Sequence, residues 1–430
     1  MTTTCPTPAT SPATTEPVGS LGRAPLGVPI GLVVLLGSLQ ALGPVALDTY
    51  LPALPTIADE LGTSTSSTQL TLTATLAGLA LGQLAFGSLS DAMGRRRPLL
   101  AGSALFVVAS LACALAPSIE VLLVMRFVLG LGAAAGMVSA MAIARDSSSG
   151  TSMARLFAAL MLVTGVAPVL APVIGGQLLL LTSWRGIFAL LAGMGVVLLL
   201  AAATRLPETL PAHRRQGGGL ARTTRTYGRL LRDRTMVLPL LTLMLGCAGL
   251  FGYLAGSPFL LQDVHGLSPQ AYSAVFAVNC IGLTALSQLS GRIVHRTGPA
   301  VLLQAGTLVV AVGGLLLLAA TVLDAGLLAV LPALFLLVSG MGLIFPNATT
   351  LALSGQGATA GSAAALLGLG QFGAGAFSAP LVGLGADPSL SMAVVLAVVS
   401  VGSVVAGVAA TRPSADRGHD RTDDRADVPS

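Results

Sequence analysis

The stretch Gly31-LVVLLGSLQALGPVALDTYLPALPTI-Ala58 decides how the rest of the chain is read. It is longer than the ~20 apolar residues needed to carry a helix across a bilayer. It also holds a single acid, Asp48. A carboxylate in a spanning helix costs roughly 2.5–3.5 kcal/mol on insertion scales, so such a residue usually faces a partner or a wet cavity. The competing reading sets Asp48 near the outer interface, with Tyr50 and Pro52 marking the helix end.

Composition extends the membrane reading to the whole chain. Of 430 residues 54% are hydrophobic and 9% charged, with a mean hydropathy of +0.86. Soluble domains carry about 25% charged residues, so this sequence needs lipid as its solvent. All 22 basic residues are Arg. Without Lys there is no Walker A phosphate clamp and no Schiff base, which excludes a self-contained ATP-driven pump. The net charge of +5 is no nucleic-acid signal, because the arginines sit in loops between apolar runs and not on one soluble face. Cys113, Cys247 and Cys280 fall inside apolar runs and Cys5 in the N-terminal tail, so neither a disulfide framework nor a metal site is expected.

Twelve apolar spans can be counted. They cover residues 27–56, 68–89, 98–116, 119–143, 153–181 and 184–205, then 236–262, 270–291, 299–322, 326–353, 359–385 and 389–411. Residues 1–26 are Thr-, Pro- and Ser-rich and read as a disordered tail without a secretory signal, the first span serving as targeting signal. Residues 206–235 form a basic linker between two six-span halves, 27–205 and 236–411, and residues 412–430 a charged disordered tail. With the N-terminus inside, 20 of the 22 arginines fall on the cytoplasmic side, which places both termini in the cytoplasm. GSLSDAMGRRRPLL after the second span and GRIVHRTGPAVLL after the eighth form an internal repeat, with Gly87 and Gly291 204 positions apart. Two related halves around a central cavity are a transporter architecture.

The run Gly87-Ser-Leu-Ser-Asp91-Ala-Met-Gly94-Arg95-Arg96-Arg97 is the sharpest local signal. Its glycines allow a tight turn, and Asp91 can pair with Arg or cap a helix. A simple positive-inside anchor needs only the arginines. The full pattern resembles the loop between spans two and three of the major facilitator superfamily, GxLaDrxGrrxxl. The resemblance covers most of residues 27–411. PVALDTYLPALPTIADEL, LLVMRFVLGLGAAAG, APVIGG, TSWRGIF and GLIFPNATTLAL look like its Bcr/CflA branch of bicyclomycin and chloramphenicol exporters. It implies drug/proton antiport by alternating access, with Asp48 and Arg126 where relatives keep functional charges. One departure is Gln40, where some multidrug relatives carry a second acid; another is Ala171 in the fifth-span motif ending GPxxGG.

Helical rise offers an independent check on the charged pair. Asp48 lies roughly 15 Å and Arg126 roughly 10 Å from the same surface at 1.5 Å per residue, so the two can share a level. In contact, Arg126 keeps Asp48 ionised; turned away, the acid favours its neutral form. A switch between these environments would change proton affinity through a cycle, whereas a fixed pair would only lock two helices. In the fifth span Gly165, Pro168, Pro172, Gly175 and Gly176 fall on one helical face and suggest a hinge or seal, with GLGQFGAGAFSAP in span eleven as counterpart. Gln40, Tyr50, Tyr253, Asn279, Asn347 and Gln371 are candidate cavity residues, alongside Gln83 and Gln288. Most such groups serve as interhelical hydrogen bonds. Arg145-Asp146 and Pro207-Glu208-Thr209 are expected at cytoplasmic helix ends or a gate.

No His lies deep in a span, and neither HExxH nor GxSxG occurs, so an enzyme is not expected. The expectation is an all-α protein of the cytoplasmic membrane, monomeric and free of cofactor and metal, that exports small lipophilic drugs against protons. Its partners are a small-molecule substrate, protons and the lipid bilayer. The alternative is a proton-coupled transporter of an endogenous metabolite.

Overall fold

A computed structural model describes residues 29–148, 150–215, 227–356, 360–384 and 387–412. The tail at residues 1–26, that beyond Arg412 and part of the linker lie outside the described residues. Twelve helices long and apolar enough to cross a membrane are found among the described residues. They are α1 (Ile30–Glu60), α2 (Thr65–Met93), α3 (Arg96–Ala114), α4 (Ile119–Asp146), α5 (Arg155–Leu178) and α6 (Trp184–Arg205) in the first half. The second half holds α7 (Arg234–Val264), α8 (Pro269–Thr297), α9 (Pro299–Val322), α10 (Leu327–Leu353), α11 (Gly361–Leu381) and α12 (Pro388–Thr411). No strand occurs among the described residues. Large side chains such as Leu115, Leu181 and Leu328 stand exposed around the bundle, as expected where lipid covers the outer surface.

The repeat is preserved to the residue at the start of each half. Both ends of α7 and of α8 lie 204 positions after the matching ends of α1 and α2, the spacing of Gly87 and Gly291. Packing repeats as well. Gly130 of α4 seats on the backbone of Thr75 and Leu79 in α2, and Gly342 of α10 on the backbone of Leu283 and Ser287 in α8. Small residues let backbones approach closely where lipid offers no hydrophobic drive.

The first span, read from sequence as the run 27–56 with Tyr50 and Pro52 as an alternative helix end, is not one continuous helix. Its α-helix ends at Asp48, followed by a 3-10 turn at Leu51–Ala53 and a short helix Leu54–Glu60. Proline supplies the reason. Pro52 and Pro55 have no N–H, so the carbonyls of Asp48 and Leu51 lack their helical donors. In the repeat, α7 likewise ends irregularly, in a π-helical turn at Leu260–Val264 that follows Pro258.

Candidate functional site

The ends of the helices define two faces. One, the basic face, carries Arg95, Arg96, Arg97 and Arg145; the other, the acid face, carries Asp59, Glu60, Asp263 and Asp387. The break in α1 lies toward the acid face and organises the buried charges. Arg126 of α4 is fully buried, and its Nη1 donates to the carbonyl of Ala46 at 2.8 Å. Its guanidinium lies over the Tyr50 ring, 3.8 Å from the centroid, and 5.7 Å from that of Phe188. A guanidinium so placed gains from the ring quadrupoles. Its Nε and Nη2 have no hydrogen-bond partner among the described residues. Tyr50 is itself buried, its hydroxyl 3.2 Å from Thr71 Oγ1.

Asp48 is 4% exposed and makes no hydrogen bond or ion pair within 4 Å through its carboxylate among the described residues. It and Arg126 are thus within electrostatic reach but not in contact. Asp48 faces the other half of the molecule, where its electrostatic neighbours are Tyr253 of α7 and Tyr272 and Cys280 of α8. Phe276 joins these aromatics, stacked on Tyr253 with ring centroids 5.7 Å apart and tilted against Tyr272 at 6.1 Å. Asn279 Nδ2 donates to the Tyr253 hydroxyl at 3.0 Å. The sole deep acid of the first span therefore sits on the seam between halves.

That seam is closed at the acid face by hydrogen bonds from side chains to backbone carbonyls. Ser273 Oγ of α8 donates to Pro172 O at 2.8 Å, and Gln270 Nε2 to Gly176 O at 2.8 Å. In the matching position, Ser66 Oγ of α2 donates to Gly383 O at 2.5 Å, and the Gln69 side chain packs on the same glycine. All the hydrogen bonds that join described residues of the two halves lie at this face. Ser66 and Gln69 precede Gln270 and Ser273 by the same 204 positions. Sequence reasoning missed these four residues, although the Gly87–Gly291 spacing pairs them.

The fifth-span residues reach this seal. Pro172 and Gly176 offer the carbonyls just described, and Gly175 lies against the carbonyl of Thr49 at the α1 break. Gly165 stands nearer mid-span, where an added Cβ would sit 3.9 Å from Thr284, and Pro168 is half-buried on the same helix. The remaining polar candidates divide. Gln40 is buried, with no partner for Oε1 among the described residues. Asn347 is buried and donates to Ser290 Oγ at 2.8 Å, a link between α10 and α8. Gln83 and Gln371 are half-buried, and Gln288 is exposed.

The basic face holds a second constellation. Arg95 bridges Asp91 at 2.5 Å and Asp146 at 2.9 Å. Gly94 turns the chain with φ +94°, a conformation that suits glycine. The Glu208 carboxylate then accepts the N–H groups of Arg95 at 2.8 Å and Arg96 at 3.3 Å, which open α3. Arg96 Nη2 donates to Ala203 O at 2.6 Å. Partial burial works to raise the Glu208 carboxyl. The N–H groups of Leu210, Arg95 and Arg96 and the charge of Arg215 outweigh it and hold the group below its usual range. Asp146 and Glu208 thus make helix-end contacts at this face, and no hydrogen bond or ion pair is seen for Arg145 among the described residues.

Comparison with known proteins fits this geometry. Residues 36–380 match the family model described as the Major Facilitator Superfamily. This chain belongs to the major facilitator superfamily. As a member of that superfamily it is a transporter and a multi-pass membrane protein. It is 39% identical to "Uncharacterized MFS-type transporter YdgK" of Bacillus subtilis (strain 168), over 75% of this chain and 81% of that protein. It is 33% identical to a chloramphenicol resistance protein of Pseudomonas aeruginosa, over 66% of this chain and 67% of the relative. A multidrug resistance protein, MdtL, of Vibrio parahaemolyticus is 32% identical over 56% of this chain and 60% of its own length. Among solved structures, the D-xylose-proton symporter superposes with a TM-score of 0.70 at 17% identity, covering 89% of this chain and 96% of the symporter. At that identity the likeness concerns the fold alone.

Proposed function

We propose that this superfamily member exports small lipophilic drugs across the cytoplasmic membrane in exchange for protons, with the basic face in the cytoplasm. The placement of Asp48 carries the reading. The acid lies buried on the seam, with Arg126 on its own half and the Tyr253–Tyr272 cluster on the other. A neutral carboxylic acid tolerates a dry interface far better than an unpaired carboxylate does. With the acid face sealed, Asp48 therefore carries its proton. When the halves part there, Asp48 takes its proton from the acid side; once that face is sealed the acid stays neutral until water entering from the basic face, with Arg126 within electrostatic reach, favours its release into the cytoplasm.

Alternating access follows from which ends are tied. The present state is closed at the acid face through Ser66, Gln270 and Ser273. The fifth-span glycines and prolines act as the seal and hinge. The Asp91–Arg95–Asp146 network and the Glu208 cap hold the helix ends of the basic face. Residues 206–235 tether the rocking halves. One titrating acid carries about 2.3 kcal/mol per 100 mV besides the pH term, which suffices for moderate extrusion. The names of the chloramphenicol and multidrug resistance relatives support drugs as cargo. Gln40 in place of an acid leaves Asp48 as the one proton site of α1.

The test is chloramphenicol extrusion by the reconstituted protein under an imposed pH gradient. Wild type extrudes the drug and Asp48→Asn does not, while the variant still binds it. Full-strength extrusion by Asp48→Asn sinks the coupling assignment. A wild type that moves no drug under any gradient points to an endogenous metabolite.

A further inference from the structure

The fifth and eighth spans part toward the basic face. At the acid end an added Cβ on Gly176 would sit 2.5 Å from Ser273 Oγ, and at mid-span one on Gly165 would sit 3.9 Å from Thr284. Gly291 lies 18 positions after Ser273, five turns of 3.6 residues, and so shares its side of α8. A Cβ there would meet nothing within 4 Å among the described residues. Beside this gap α8 ends in Arg292, His295 and Arg296, all exposed. None of the three makes a side-chain hydrogen bond or ion pair among the described residues.

These cations are particular to the second half. At the 204-residue spacing of the repeat, their places in α2 are taken by Ser88, Asp91 and Ala92. There Ser88 donates to the Leu84 carbonyl of its own helix, and Asp91 pairs with Arg95. No carboxylate plays that part for α8 among the described residues. Nor does orientation demand them. An excess of arginine on one side suffices, and the first half and the linker already supply it.

What the arginines meet is set by the face they share. Exposed positions recur along α8 at steps of three and four, through Val278, Ile281, Ala285 and Leu289 to Arg292 and Arg296. Such steps mark one side of a helix, so hydrocarbon runs directly into two arginines one turn apart. Where lipid covers the outer surface, that order matches an anionic phospholipid, with acyl chains along the apolar stretch and the phosphate at the guanidinium forks. A free phosphate ion would use the arginines and leave the apolar stretch idle.

We propose that the basic end of α8 docks the headgroup of an anionic phospholipid, beside the gap left by α5. The lipid belongs to the cytoplasmic leaflet when the basic face lies inward, as the export reading has it; the docking itself does not rest on that reading.

The test is native mass spectrometry of the full-length protein released from nanodiscs of equal phosphatidylglycerol and phosphatidylcholine with matched chains. Wild type retains phosphatidylglycerol in excess. Arg292→Gln with Arg296→Gln lowers that enrichment about fivefold or more, the scale of one arginine at an anionic surface. Arg97→Gln with Arg145→Gln, also exposed on the basic face, leaves it unchanged. Equal enrichment in wild type and the α8 variant overturns the proposal. An equal fall in both double variants overturns it in favour of charge spread over the whole face. Enrichment that appears only once residues 413–430 are removed also overturns it, and assigns the α8 arginines to the aspartates of that tail. Neither drug nor gradient enters this assay, so its failure and that of the Asp48 extrusion test are read separately.

Discussion

Replacing Gly176 by Ala tests the seal at the acid face. A Cβ there would sit 2.5 Å from Ser273 Oγ and 3.2 Å from Pro269 O. The serine can rotate away only by giving up its 2.8 Å bond to Pro172 O. The backbone of Pro269 cannot rotate, so α8 must move back from α5. Overpacking costs ~1–3 kcal/mol and a lost hydrogen bond ~0.5–1.5 kcal/mol. Partial relaxation of the serine offsets some of this, leaving about 1–2 kcal/mol against the closed state. At 1.4 kcal/mol per decade that is roughly 5–30-fold more of the form open at the acid face. Cys280, 7% exposed beside Asp48, is the native reporter, with the other cysteines changed to serine. A membrane-impermeant thiol reagent added from the acid side should modify it roughly 5–30 times faster in Gly176→Ala, if reactivity tracks the open fraction. Gly193→Ala, with nothing within 4 Å of its added Cβ, is the control and should match wild type. Equal rates in Gly176→Ala and wild type would refute the seal.

Other perturbations separate the two faces. Arg126→Lys keeps the charge but not the planar stack on Tyr50, and should cost about 1–2 kcal/mol of stability in thermal unfolding; an unchanged transition would show that the stack contributes nothing. The Glu208 carboxyl is depressed on folding, so its contribution is present above the unfolded value of about 4.3 and fades as pH falls through the lower folded value. Glu208→Gln should therefore lose about 0.5–1 kcal/mol at neutral pH, after discounting for solvent screening, and converge with wild type under strong acid in unfolding scans. Asp233 accepts the Thr235 hydroxyl at 2.7 Å, Gln356 Nε2 at 2.9 Å and the Thr235 N–H at 2.9 Å, and these bonds outweigh partial burial and hold its carboxyl low. Asp233→Ala should cost about 1 kcal/mol and speed hydrogen exchange at the first turn of α7.

The helices were legible because lipid makes their requirements one-dimensional: length and hydropathy suffice, and most span limits fall within a few residues of the observed ones. What escaped was set by the third dimension. Pro52 carried the signal for the end of the first helix in α1, but not for the 3-10 turn and short helix that follow it. Rise per residue could set Asp48 and Arg126 at one level; it could not show that Arg126 spends a donor on the Ala46 carbonyl and turns its plane to Tyr50. Tyr253 and Asn279 were readable as polar residues in apolar helices, and the structure pairs them beside Asp48. Tyr272 and Cys280 carried no such mark, since only the docking of one half on the other brings them near that acid. Glu208 was legible as a helix-end residue, while its bond across 113 positions to Arg95 was not.

The equal register of the two opening hairpins constrains what mutation can do to them. A residue inserted in α2 between Gln69 and Thr75 would turn everything after it by about 100° on a helix of 3.6 residues per turn. The backbone contact with Gly130 would swing out of line while Ser66 and Gln69 stayed in place. A matching insertion in α8 would not restore it, because each hairpin docks on partners of its own half as well as on the other. Length drift is thus confined to the loops and later helices, where the offset between halves already departs from 204. The opening pairs behave as interchangeable cassettes whose ends cannot be moved.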